Sequence, residues 1–312
     1  SRNGPVSLWA DARKSLRSLC AGVTFAVDHT ITVTARDAHG ADHTFIPRVM
    51  VSKLRQLARL NEGAALSAQG TQGRVSLATD HFGYHSHFLS TGQGLSFRAW
   101  RFVFRARLDV LPVRSAIRRS SRNNIDTSCR VCRVHQETVC HVISHCLPMM
   151  NAITARHNTV LGRLLAAIPV RRRELAKVNC QVPDFTGSSL RPDIVIDDGS
   201  EVVIVDVTVP FDASEDALFA AAQTKIGKYA GIAAFYLTRG RRSAVVRPFV
   251  VGALGSWFTG NEQCLSDLGI KCDSRPLLRR QCVSDAISGS ETVWSLFRNR
   301  ESGPAVILAA GE

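Results

Sequence analysis

The sequence predicts an α/β protein in which a mainly helical stretch and a short Cys/His-rich module precede a domain of alternating strands and helices. Two observations carry this. From residue 151 onward, apolar runs rich in Val and Ile alternate with segments of helical period, the pattern of an α/β domain. Four of the nine cysteines fall within the eighteen residues from Cys129 to Cys146. The expected division is 1–122, 123–150 and 151–312.

Taken in order, Leu16, Leu19 and Cys20 suggest a helix, and Val23, Phe25, Val27, Ile31 and Val33 alternate as strand residues do between Gly22 and Arg36. Pro47 opens a helix carrying Val49, Val51, Leu54, Leu57 and Leu60. Asn61 to Gly94, rich in Gly, Ser, Gln and His, reads as loop. Its histidines His81, His85 and His87 are expected at the surface, because no cysteine or carboxylate spacing completes a ligand set. A helix is expected from Leu95 to Ile117, with Arg98, Arg101 and Arg105 on one face and Trp100, Phe104 and Leu108 on another. Helices are expected over Ala152–Ala166, Val170–Val178 and Ser214–Ala230, a strand pair over Pro192–Val209, and strands over Ile232–Leu237 and Ala244–Val251.

A chain of 312 residues with 45% hydrophobic content can bury a sizeable core and suits two or three modest domains. Its 39 Lys and Arg against 26 Asp and Glu leave a formal charge of +13, which favours a polyanionic partner, nucleic acid first. Eight arginines and one acid, Asp109, lie between Arg98 and Arg122, and guanidinium forks suit phosphate oxygens. No apolar run approaches the about 20 residues needed to span a bilayer, so no membrane partner is expected. The first residues show no secretory signal, and clustered cysteines without one point to a reducing compartment.

The segment from Cys129 to Cys146 reads C-x2-C-x8-H-x4-C through Cys129, Cys132, His141 and Cys146. One tight turn can hold the cysteine pair and one helical turn the His and Cys, so four ligands can converge tetrahedrally on a structural Zn2+. Cys140 and His145 suit a different face of the short helix. With four protein ligands no position remains for a catalytic water. Arg130 and Arg133, between the ligands, are candidates to touch nucleic acid.

Further on, Asp197-Asp198-Gly199 between two apolar runs is a hairpin signal that sets Asp193 and Asp206 on adjacent antiparallel strands. An aspartate inside Val-Ile-Val-Asp-Val-Thr-Val is costly to bury without a charge partner, and Mg2+ is the cation that oxygen ligands favour here. A lysine nearby would orient the attacking water or stabilise the transition state. Lys225 and Tyr229 share one face of the following helix; Lys225 is preferred over its neighbour Lys228. Glu174 and Glu201 are candidates for a third carboxylate.

These features together resemble the C-terminal region of the early-branching, site-specific non-LTR retrotransposon (LINE-type) polyproteins. The matching landmarks are Gln72-Gly73-Arg74, Trp100-Arg101-Phe102 with Arg105 to Leu108, the cysteine cluster with Glu137-Thr138, Arg156-His157, Arg191-Pro192-Asp193, Asp206 to Val209, Lys225 to Tyr229, Val250 to Trp257 and Arg279 to Ile287. The resemblance spans roughly Gln72 to Ile287 and implies a linker, a CCHC zinc knuckle and a PD-(D/E)xK restriction-like endonuclease. By position, Asp193 and Asp206 would hold Mg2+ and Lys225 would be the catalytic lysine. A plain PD-(D/E)xK motif has its lysine two residues after the second acid; here that position is Thr208, so activity depends on a lysine moved to the next helix. Such an enzyme nicks target DNA so that the freed 3′ hydroxyl primes reverse transcription of the element RNA. The implied partners are target DNA, element RNA and the reverse transcriptase domain of the same polyprotein, and the implied location is nuclear. Without a Tyr- or Phe-x-Asp-Asp box, the chain is expected to begin after the polymerase, with Trp9 to Gln72 as the link. Arg156 and His157 are expected on nucleic acid or between knuckle and endonuclease. The alternative function is a non-catalytic zinc-knuckle module that binds element RNA or target DNA.

Overall fold

The computed structural model describes residues 21–25, 31–71, 73, 75, 86–89, 91–121, 124–182, 185 and 189–301. The expected helix at Leu16–Cys20, together with Val27, Gln72, Arg74, His81, His85 and Arg122, lies outside them. The chain divides into two units, Ser1–Gly73 and Arg74–Glu312. The boundaries expected at 122 and 150 both fall inside the second.

In the first unit, strands β1 (Ala21–Phe25), β2 (Ile31–Arg36) and β3 (Asp42–Phe45) form an antiparallel sheet in that order. Helix α1 (Pro47–Ser67) packs Leu54 and Leu57 against Val33 and Ala35. Pro47 starts the helix because its absent N–H would have had no intrahelical acceptor. This unit is thus sheet plus helix rather than mainly helical, and α1 runs through Ser67 into the stretch expected as loop.

In the second unit α2 (Phe97–Arg107) and α3 (Arg114–Ser120) precede the Cys/His module. The single helix expected over Leu95–Ile117 is broken between them: Asp109 adopts a left-handed φ of 51°, and Pro112 bars the residue before it from helical geometry. The apolar face of α2 is also rotated from expectation. Ala99, Phe102, Val103 and Ala106 enter the core, while Leu108 is exposed.

Helix α4 (Val139–Ser144) belongs to the Cys/His module, and α5 (Met150–Ala167) follows it. Next come α6 (Val170–Arg173), β4 (Ala176–Val178), β5 (Ile194–Asp197), β6 (Glu201–Thr208), α7 (Glu215–Thr238), β7 (Ser243–Val250), α8 (Asn261–Asp267) and α9 (Arg275–Glu301). Val170–Val178 is therefore half helix and half strand, since Ala176 and Val178 pair with Ile196 and Ile194. Ile232–Leu237 is helical: Tyr229, Ile232 and Tyr236 form one buried stripe at helical spacing, which a continuous apolar run conceals.

The sheet order is β4-β5-β6-β7, antiparallel except for the parallel pair β6 and β7 joined by α7. Side chains alternate across it, so Ile194, Ile196, Val203, Val205 and Val207 join the large core, while Val195, Val202 and Ile204 face Tyr229, Ile232 and Tyr236 of α7. Cys129, Val142, Ile143 and Cys146 of the Cys/His module share that large core with Phe102, Leu164, Ile287 and Phe297. No helix among the described residues is long and apolar enough to cross a membrane.

A buried charge network fastens these parts. Fully buried Asp212, just beyond β6, accepts hydrogen bonds from the Leu254 and Ser256 amides at 2.6 and 2.8 Å. Arg107 of α2 donates to the Leu254 carbonyl through Nε and Nη2 at 3.0 and 2.7 Å. Arg156 of α5 donates to the Ile143 carbonyl at 2.9 Å, Ser290 Oγ at 2.7 Å and the Val209 carbonyl at 3.3 Å. Burial pushes both guanidiniums down to about 10, against the charge of Asp212, and burial pushes the Asp212 carboxyl up. Gly252 leaves the necessary room, since a Cβ there would meet Asp212 Oδ1 at 1.9 Å. Asp212→Ala, which strips two buried guanidiniums of their counter-charge, is expected to destabilise the protein by about 3–5 kcal/mol in urea denaturation; an unchanged midpoint would mean the network is not structural.

Candidate metal centre and carboxylate pair

Local geometry gathers the Cys/His ligands. Arg133 takes φ 62°, and its N–H bonds to the Cys129 carbonyl at 2.8 Å, closing the turn that brings Cys129 and Cys132 together. Thr138 caps α4 by accepting from the His141 N–H at 3.0 Å, which fixes where the helix starts and where His141 points. One ligand atom each from Cys129, Cys132, His141 and Cys146 lies within 4.8 Å of the others. Cys132 Sγ is 3.3 Å from His141 Nε2, and Cys129 Sγ is 4.0 Å from Cys146 Sγ. Hydrogen bonding from Cys146 pushes the Cys129 thiol down, toward the thiolate form that ligates metals, and the same contact raises Cys146. This group could hold a metal ion. Cys140 and His145 stay outside it, as expected.

Glu137 is the strut beneath this loop. Fully buried, it accepts from the Arg114 and Arg130 backbone N–H groups at 2.9 and 2.8 Å and from the Arg130 guanidinium. Arg130 is thereby engaged inside, donating also to the Pro112 carbonyl at 3.1 Å. This corrects its expected role: its guanidinium is spent on Glu137 and offers nucleic acid little, whereas Arg133 is exposed. Arg156, at 2% exposure, joins the Cys/His module to the sheet, which is the second of the two places expected for it, and its burial leaves little of it open to nucleic acid.

The hairpin sets the carboxylates as its register requires. Ile194 pairs with Val205, and one further step brings Asp193 opposite Asp206. Both are buried. Asp206 shares a sheet face with Val202 and Ile204, which turns it toward α7, where Lys225 Nζ lies 2.6 Å from its Oδ2. That approach is close but off the hydrogen-bonding directions, leaving Oδ2 buried without a hydrogen-bond partner. Tyr229, one turn on, is buried and donates to the Arg191 carbonyl at 3.2 Å; burial and neighbouring Asp206 push its hydroxyl up. Lys228 is exposed and lies over the Tyr229 ring at 4.7 Å. Glu201 is no third carboxylate, because it pairs with Arg242 at the other end of β6, and Glu174 is exposed at the end of α6.

His157 belongs to this carboxylate pair. Its Nε2 lies 3.2 Å from Asp193 Oδ2 and 3.1 Å from the Val207 carbonyl. The Asp193 hydrogen bond raises the His157 pKa against the burial that lowers it. Sequence reasoning assigned this residue to nucleic acid or to an interface, since no spacing rule connects residues 36 apart across a helix and a strand.

Arg98, Arg101 and Arg105 do line one face of α2, and α9 adds Arg298 and Trp294 around a cavity of about 160 Å³. Arg98 is tied to Glu291 at 3.0 Å and Ser295 Oγ at 2.6 Å. Of the three histidines expected at the surface, His87 lies partly buried, 3.4 Å from Ser284 Oγ.

No protein-family model matches the chain. Over 186 residues, 59% of its length, it is 26% identical to a Popillia japonica protein named "Retrovirus-related Pol polyprotein from type-1 retrotransposable element R2". It is a distant homologue of that polyprotein. The matched stretch covers 37% of the polyprotein, so the chain spans well under half of this relative. The Cys/His cluster of this chain fits a zinc knuckle.

Two substitutions separate ligands from bystanders. Cys129→Ser is expected to abolish stoichiometric metal in the purified protein as read by elemental analysis, whereas Cys140→Ser keeps it; equal loss in both would reassign the ligand set. Glu137→Ala, which leaves Arg130 uncompensated and two N–H groups unmet, is expected to lower stability by about 3 kcal/mol in chemical denaturation.

Proposed function

We propose that the chain is a metal-dependent DNA endonuclease of the PD-(D/E)xK type that nicks target DNA to prime reverse transcription in non-LTR retrotransposition. One observation carries this reading: two buried carboxylates, Asp193 and Asp206, opposite one another in a hairpin with Lys225 Nζ 2.6 Å from Asp206. The strand-helix-strand arrangement around them and the likeness to an R2 Pol polyprotein support it.

The donors fit a hard divalent cation. They are carboxylate oxygens, and buried Asp206 Oδ2, without a hydrogen bond, already draws a cation, the Lys225 ammonium at 2.6 Å. Asp193 and Asp206 would hold the ion, which supplies Lewis-acid stabilisation of a phosphoryl oxygen and acidifies a bound water. Lys225, carried by α7 with its ammonium 2.6 Å from Asp206, would turn toward the attacked phosphate and offset its growing negative charge. Tyr229, donating to the Arg191 carbonyl and beside Asp206, would support the loop that leads into Asp193. The arginines around the α2 and α9 cavity, with exposed Arg133, would hold phosphates of target DNA or element RNA. Zinc is the ion that three thiolates and an imidazole favour in the knuckle. The reverse transcriptase of the same polyprotein, working in the nucleus, is the expected partner.

Conversion of supercoiled plasmid to nicked circles tests the reading. In Mg2+ the parent is expected to nick; Asp206→Ala and Lys225→Ala are expected to lose about 100-fold or more, and Lys228→Ala to stay near the parent rate. A parent that retards plasmid but leaves it supercoiled, or an Asp206→Ala variant as active as the parent, would overturn it.

A further inference from the structure

Helix α5 leaves the Cys/His module and carries His157 to the edge of the carboxylate pair. The Val207 carbonyl can only accept a hydrogen bond, so Nε2, 3.1 Å away, bears a proton and is also the donor toward Asp193 Oδ2 at 3.2 Å. The same Oδ2 receives the Val207 N–H at 2.6 Å. Two donors thus converge on one oxygen of Asp193, while Oδ1 lies outside these bonds. Nδ1 faces Asn158 Oδ1 at 3.2 Å, so both ring nitrogens are engaged, and the side chain is 28% exposed. The helix is pinned at the preceding residue, because Arg156 is held by Ile143, Ser290 and Val209. The ring therefore inherits its position from the interior.

We propose that His157 is a positioning residue for the cation site: with the Val207 amide it fixes Asp193 Oδ2 and thereby presents Oδ1 to the divalent ion. This deepens the endonuclease reading and rests on it. Carboxylates that ligate metals are held by hydrogen bonds of this kind, and losing such a partner costs about 10- to 100-fold in metal affinity or activity. A donor is what the site requires. Glutamine can supply an amide N–H at comparable reach, and leucine cannot.

The test uses the whole chain loaded with zinc, so that the cysteines are occupied, and titrates Mn2+ without DNA by calorimetry. The parent is expected to bind one ion and Asp206→Ala none. His157→Leu is expected to bind about 10- to 100-fold more weakly, and His157→Gln to recover most of the affinity with a urea midpoint matching that of His157→Leu. In plasmid nicking, His157→Leu is expected to raise the half-saturating Mn2+ and lower kcat while the plasmid Kd holds. If His157→Leu does not fold, His157→Asn, polar but too short to reach Asp193, takes its part. Parent-like Mn2+ binding by His157→Leu, with Asp206→Ala still binding none, overturns the positioning role and leaves the endonuclease reading standing. A parent that binds no Mn2+ overturns both.

Discussion

A carboxylate sealed from water sets much of this architecture. Asp212 has no solvent to share its charge, so the fold surrounds it with the Leu254 and Ser256 amides and with the fields of two buried guanidiniums. Each of those partners is delivered by a different part of the chain. Arg107 comes from the helix before the Cys/His module and Arg156 from the helix after it, while the 252–256 loop follows the last strand. Satisfying one buried charge therefore requires all three to be in place together, and a loop with glycine at 252, where a Cβ has no room, is what allows the backbone to close on it.

The carboxylate pair depends on this frame at one remove. The hairpin register alone aligns Asp193 with Asp206, and strand alternation turns Asp206 toward Lys225. What the hairpin does not determine is the side on which α5 lies. Val160, Leu161 and Leu164 bury one face of that helix in the core, and Arg156, through its bonds to Ile143, Val209 and Ser290, ties it to the Cys/His module, to the strand end and to α9 at once. His157 meets Asp193 because Arg156 is buried beside it.

Local patterns were legible in the sequence where chemistry is local. The spacing of Cys129, Cys132, His141 and Cys146 depends on one turn and one short helix, and the structure gathers those four. The Asp-Asp-Gly turn dictated the hairpin, and helical spacing favoured Lys225 over Lys228. Arginine was the type that misled. An Arg in a basic stretch reads as a phosphate ligand, yet Arg107 and Arg130 are turned inward, and only their acceptors, the distant Leu254 carbonyl and Glu137 hidden in the ligand loop, tell the difference. The strand at Ile232–Leu237 failed for another reason: when one helix face and its flanks are all apolar, period 3.6 leaves no mark.

The sharing of one core between the Cys/His module and the strand-bearing region bears on how such chains can diversify. A module with its own interior can be exchanged between proteins with little regard for its new neighbour. Here Val142, Ile143 and Cys146 pack in the same interior as Leu164, Ile287 and Phe297, so a crossover at residue 123 or 151 would join surfaces never shaped for one another. The boundary between the two units lies at Gly73 and Arg74, outside both the Cys/His module and the strand-bearing region. Recombination should respect that boundary, so the metal-binding loop and the carboxylate pair would be inherited as one block, each changing its core residues only in step with the other.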